Sequence, residues 1–139
     1  METLAATQFC ALAAALTLGF AILAQFLVLD IAGIRSKHVP GTPVTGGHDD
    51  FLFRAARAHA NTSENLGLYL LSFFCALLLG ADPRWTAGAA WTFTAARIAH
   101  MGCYYADLRM ARSVSFAIGL LAQVALLLLC AVTLFQHAH

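Results

Sequence analysis

Apolar residues run almost unbroken through four stretches of the chain, Leu4 to Leu29, Leu66 to Leu79, Trp85 to Tyr105 and Val114 to Phe135, with polar breaks between them. A helix needs roughly 20 apolar residues to cross the hydrocarbon of a bilayer. Each stretch approaches that length, the second only when the polar run feeding it is counted. That run is Arg54-Ala-Ala-Arg57-Ala-His59-Ala-Asn61-Thr-Ser-Glu64-Asn65. Within it Arg54, Arg57, Asn61 and Glu64 recur at three- and four-residue steps, which gives one helix face two guanidiniums, an amide and a carboxylate. Such a face could hold a small zwitterion. Arg97, His100 and Tyr104 repeat the helical spacing inside the third apolar stretch and are placed to supply a far wall for the same site. Ionisable residues inside membrane segments point to function by default.

The breaks are equally readable. Val39 to Gly47, Val-Pro-Gly-Thr-Pro-Val-Thr-Gly-Gly, interrupts helix and strand alike and predicts a turn-rich connector. Asp49 or Asp50 then stands where an N-cap belongs, so the polar run and the second span share one rod. Gly80-Ala-Asp-Pro83 predicts a tight turn with Pro83 opening the third helix. Trp85 and Trp91 suit an interfacial belt. The link between Tyr104 and Ser113 has no room for a domain. Small residues in the first span, Ala11, Ala13, Ala14, Ala15 and Gly19, permit close helix approach. The expectation is an all-α integral membrane protein with one four-helix domain over 1–139, its thin polar interior sheltered by oligomerisation.

Composition agrees with the pattern. The 139 residues are 60% hydrophobic and 11% charged, with a mean hydropathy of +0.75, against roughly 25% charged residues in soluble domains. The first stretch lacks a basic start, with Glu2 ahead of it, and runs too long for the core of a secretory signal, so it reads as a retained span. Formal net charge is +1 and no basic arm is present, which argues against nucleic acid as a partner. The placement of charge says more: Arg35, Lys37, Arg54 and Arg57 flank the first connector, Arg109 and Arg112 the third, and Arg84 alone lies on the other side. The positive-inside rule puts those connectors in the cytoplasm and both termini outside. Cys10, Cys75, Cys103 and Cys130 are scattered one per span, as small apolar packers are. His38, His48 and His59 lack ligand spacing, so no metal is expected.

Each polar residue also has a structural reading. Arg57 and Glu64 could bridge through Asn61 or pair between subunits. Arg97 and His100 could lock helix register, and Tyr104 could anchor at the interface as Tyr105 does. Arg109 and Arg112 could answer lipid headgroups, and Gln123 fits interhelical glue.

Two separated motifs, Arg54-x-x-Arg57-Ala-His59-x-Asn61-x-x-Glu64 and Arg97-x-Ala-His100-x-x-x-Tyr104, are followed by Arg109, Arg112-Ser113 and Gln123. In this order, and over nearly the whole chain, they resemble the MAPEG family, the membrane-associated proteins in eicosanoid and glutathione metabolism. The resemblance implies four-helix subunits forming a homotrimer, with glutathione as co-substrate bound between subunits near the cytoplasmic face. It implies Arg35, Arg57, Asn61, Glu64, Arg97 and Tyr104 as glutathione contacts. It further implies Arg112 as the basic group stabilising the thiolate, with Ser113 beside it.

A glutathione transferase or peroxidase acting on a lipophilic electrophile or hydroperoxide follows from that resemblance. The alternative it allows is a non-catalytic lipid-binding or scaffold protein of the same fold. Three positions depart from the family pattern: Arg109 and Arg112 stand one residue closer together than in prostaglandin-synthase-like members, Phe116 replaces a Tyr, and Ala60 replaces an Arg found in some members. Membrane lipids and the chain itself are the expected partners, and a bacterial inner membrane the expected location.

Overall fold

The computed structural model describes residues 2–138, and among them the regular structure is entirely helical. The helices are α1 Glu2–Arg35, α2 Phe51–Leu78, α3 Pro83–Tyr105 and α4 Arg109–His137. The four apolar stretches thus become four helices, and the polar run is continuous with the second span as its spacing predicts. Ala6–Arg35 and Arg109–His137 are long and apolar enough to cross a membrane. α2 is diluted by its polar first half: Leu66 to Leu78 rises only about 20 Å, short of the roughly 30 Å hydrocarbon core.

Start and stop signals explain the boundaries. The Asp50 carboxylate accepts from Leu52 N at 2.9 Å, and Asp82 accepts from Arg84 N and Trp85 N ahead of Pro83. Asp50→Ala is expected to cost about 1 kcal/mol, seen as a lower unfolding midpoint in mixed micelles. An unchanged midpoint would mean that other contacts hold the start of α2. Three helices end in the same way, with an amide reaching back five residues: His38 N to Gly33 O, Ala81 N to Ala76 O, and Leu108 N to Cys103 O. That closure requires a left-handed residue just past each helix. Gly80 fills the position at φ 66°, whereas Lys37 at 52° and Asp107 at 53° do so without glycine's freedom.

α2 touches the other three helices and α3 packs between α1 and α4, which among the described residues do not meet. Ala11 and Ala14 are fully buried and bring α1 close enough for Thr94 Oγ1 to donate to Ala14 O at 3.1 Å. Ala13 and Gly19 face outwards instead. The Trp91 indole donates to Cys10 O at 3.0 Å, so Trp91 ties α3 to α1. Trp85, at 73% exposure, is free to sit in the interface. Tyr69 and Phe93 stack at the centre, 4.3 Å apart and nearly parallel, with Leu18, Phe73 and Leu126 around them.

Candidate functional site

Because successive helices alternate in direction, the end of α1, the polar half of α2, the end of α3 and the start of α4 converge at one end of the bundle. Arg97 of α3 lies at the centre, 1% exposed. Its Nη1 donates to Asn61 Oδ1 of α2 at 2.8 Å, and its Nη2 faces Phe116 O of α4 at 3.5 Å. The guanidinium carbon lies 5.2 Å from the ring centres of both Phe93 and Phe116. Room for it comes from Gly119, where a Cβ would stand 2.6 Å from Arg97 Nη2. The buried cation thus joins α2, α3 and α4, with aromatic faces, the Asn61 side-chain oxygen and the Phe116 carbonyl replacing water. Asn65 Nδ2 donates to Asn61 O, and Gln123 Nε2 reaches Asn65 O, which extends the polar layer along α2 and α4. On the opposite side Gln25 Nε2 donates to Thr62 Oγ1 at 3.1 Å.

One turn further along α3, His100 Nδ1 lies 3.0 Å from Arg112 O and 3.3 Å from Ser115 Oγ. It meets Tyr104 edge to face. Tyr104 is buried, and the Arg112 guanidinium lies over its ring at 4.6 Å. His48 of the first connector closes this group: its Nδ1 is 3.2 Å from Arg112 Nη1, and its ring stacks on Tyr104 at 6.2 Å. Its carbonyl accepts from Arg54 Nη1.

The arrangement brings Asn61 to Arg97 and Tyr104 to Arg112. It leaves Arg57 and Glu64 exposed on α2, Arg35 exposed at the end of α1, and Ser113 exposed with its hydroxyl donating to Arg109 O. Arg35 borders a crevice of about 420 Å³ between α1 and the start of α2, which Ser36, Asp50 and Phe51 also line. Among the described residues only His48 is hydrogen-bonded to the Arg112 guanidinium, which leaves N–H groups for an anion. Spacing could not disclose His48 or Gly119. The connector carries no periodicity, and a glycine in an apolar helix does not announce which side chain will need its space.

An apolar groove of about 810 Å³ opens between α3 and α4, lined among others by Trp85, Gly88, Thr92, Ile118, Ala125 and Val132. Ile118, its nearest α4 residue to Arg112, lies six residues along, or about 9 Å of helix rise. A polar, guanidinium-bearing end and an apolar groove thus share one helix.

Residues 9–132 match the model of the MAPEG family. No curated protein matches the chain.

Proposed function

The chain belongs to the MAPEG family, and from that premise we propose that it is a glutathione-dependent transferase or peroxidase of a membrane, acting on a lipophilic electrophile or hydroperoxide. The observation that carries this reading is the Arg112 guanidinium lying on Tyr104 at 4.6 Å, with free donors at the polar end of the bundle. Glutathione carries two carboxylates, an ammonium and a thiol. Arg35 and Arg57 match the carboxylates, Glu64 the ammonium, and Asn61 an amide of the peptide. Arg97, held inside the protein by Asn61 and two aromatic rings, fixes the orientation of Asn61. The exposure of Arg57, Glu64 and Arg35 in the single chain supports a site completed by a neighbouring copy in a homotrimer, at the cytoplasmic face.

Arg112 then stands by the sulfur. A guanidinium there stabilises the thiolate, the nucleophilic form. In conjugation the sulfur bonds to the electrophilic carbon as that carbon's bond to its leaving group breaks; the leaving group departs with the electron pair, and the thiol proton goes to it or to solvent. In peroxide reduction the sulfur attacks the terminal peroxide oxygen, the O–O bond breaks and the alkoxide leaves with a proton as the alcohol; a second glutathione then displaces the hydroxyl of the resulting sulfenic acid, giving the disulfide and water. The groove between α3 and α4 supplies an apolar channel from the bilayer for the acceptor.

The second reading is a lipid-binding or scaffold protein. It is favoured by the same groove and by Phe116, which offers no hydroxyl to a ligand. Ultraviolet thiolate absorbance of glutathione with the protein in nanodiscs separates the two. We expect a thiolate signal that saturates with glutathione, with Arg57→Ala raising the half-saturating concentration about tenfold, the loss of one charge-assisted contact. No signal at saturating glutathione would remove thiol activation and leave the lipid reading ahead.

A further inference from the structure

We propose that His48, in the connector between α1 and α2, is a positioning residue that aims the Arg112 guanidinium; this rests on the thiol-activating role given to Arg112 above. Arg112 sits in the first turn of α4, where neighbouring residues do little to fix a long side chain. The helix cap at Leu108 makes no side-chain hydrogen bond, and the first turn holds no acidic residue. A guanidinium beside a helix N-terminus is also disfavoured by the helix dipole. Its orientation must be imposed from elsewhere.

Two groups impose it. The Tyr104 ring lies beneath the guanidinium carbon at 4.6 Å, which sets the height of the group but lets it turn in its own plane. His48 Nδ1, 3.2 Å from Nη1, fixes that remaining rotation. Arginine has donors only, so His48 Nδ1 must be the acceptor, and the imidazole is neutral with its proton on Nε2. His48 is itself held at three points. It stacks on Tyr104 with planes 26° apart and meets Phe53 edge to face at 5.4 Å. Its carbonyl accepts from Arg54 at the start of α2. Asp50, two residues on, caps the same helix, so the connector's end is fastened where His48 must stand. One residue of a Gly/Pro-rich segment thereby couples α2, α3 and α4 around one cation.

The test compares His48→Phe, which keeps an aromatic ring on Tyr104 but has no acceptor, with His48→Asn, whose Oδ1 restores one. Thiolate absorbance and conjugation rate are read in nanodiscs beside the native protein. Histidine tautomers are read by nitrogen NMR of imidazole-labelled protein. We expect native His48 to show a bare Nδ1 that shifts in Arg112→Met. His48→Phe should bind glutathione within about twofold of native yet hold roughly tenfold less thiolate, and His48→Asn should recover most of it. A full thiolate signal in His48→Phe, or a protonated Nδ1 in the native protein, overturns the proposal while leaving thiol activation intact. Equal losses in His48→Phe and His48→Asn overturn it too, since a merely structural ring would give them. Absence of any thiolate in the native protein removes the function itself, and with it the role of His48.

Discussion

Replacing Gly119 by alanine is expected to lower the unfolding free energy by about 2 kcal/mol, although alanine is the better helix former by about 1 kcal/mol. The added methyl would stand 2.6 Å from Arg97 Nη2 and 3.1 Å from Nε, so the guanidinium must move. It has nowhere equivalent to go. Moving it weakens a charged hydrogen bond to Asn61, worth roughly 1.5 to 3 kcal/mol, and disturbs a stack between two aromatic rings worth roughly 2 kcal/mol when desolvated. Those losses outweigh the gain in helix propensity. Reversible unfolding in mixed micelles gives the number, and a double-mutant cycle gives its cause. In an Arg97→Met background the same Gly119→Ala change should be neutral or stabilising, because the long uncharged chain can yield. If Gly119→Ala is as stable as native, or costs the same with and without Arg97, then Arg97 is not held by the cradle described.

Spacing along α2 disclosed the polar face but not how the fold divides it. On an ideal helix Arg54, Arg57, Asn61 and Glu64 fall within an arc of about 80°, which reads as one surface. In the bundle the edge of the buried side crosses that arc. Asn61 turns to Arg97, Arg54 ties down His48, and Arg57 and Glu64 remain exposed. Angular position on one helix is local information, whereas the partner across the interface is not. The same limit applies to helix ends. Gly80 was legible as a stop because glycine favours the left-handed region, but Lys37 and Asp107 take that conformation within the same closing turn and carry no such mark. Asp50 and Pro83 were legible because capping chemistry lies within a few residues of its helix.

Arg112→Ala should cut the thiolate population of bound glutathione about 25-fold at pH 7, if the guanidinium lowers the thiol pKa by about two units from roughly 8.5. The rate effect discriminates further, because ionisation alone cannot explain a large one. A thiolate whose pKa falls by two units loses roughly eightfold in intrinsic nucleophilicity. Ionisation then accounts for only about a threefold gain in rate at pH 7. Any loss of kcat/KM well beyond that must come from aiming the sulfur and stabilising charge as the new bond forms. We expect a loss of about 100-fold at pH 7, the larger part of it from orientation. The two contributions separate with pH. A thiol held at a depressed pKa is ionised across the neutral range, and in the variant it ionises only as pH rises through its ordinary value. By pH 9.5 both thiols are almost fully ionised, so the gain in thiolate is gone and the roughly eightfold lower nucleophilicity of the native thiolate counts against it, while the orientation part persists; the defect should shrink from about 100-fold to about fivefold. Arg112→Lys should recover thiolate but not rate, because an ammonium cannot lie flat on Tyr104 while donating to His48 in the same geometry. An Arg112→Ala protein that holds native amounts of thiolate at pH 7 would take Arg112 out of the chemistry. It would leave the stack on Tyr104 as a device for closing the end of the bundle.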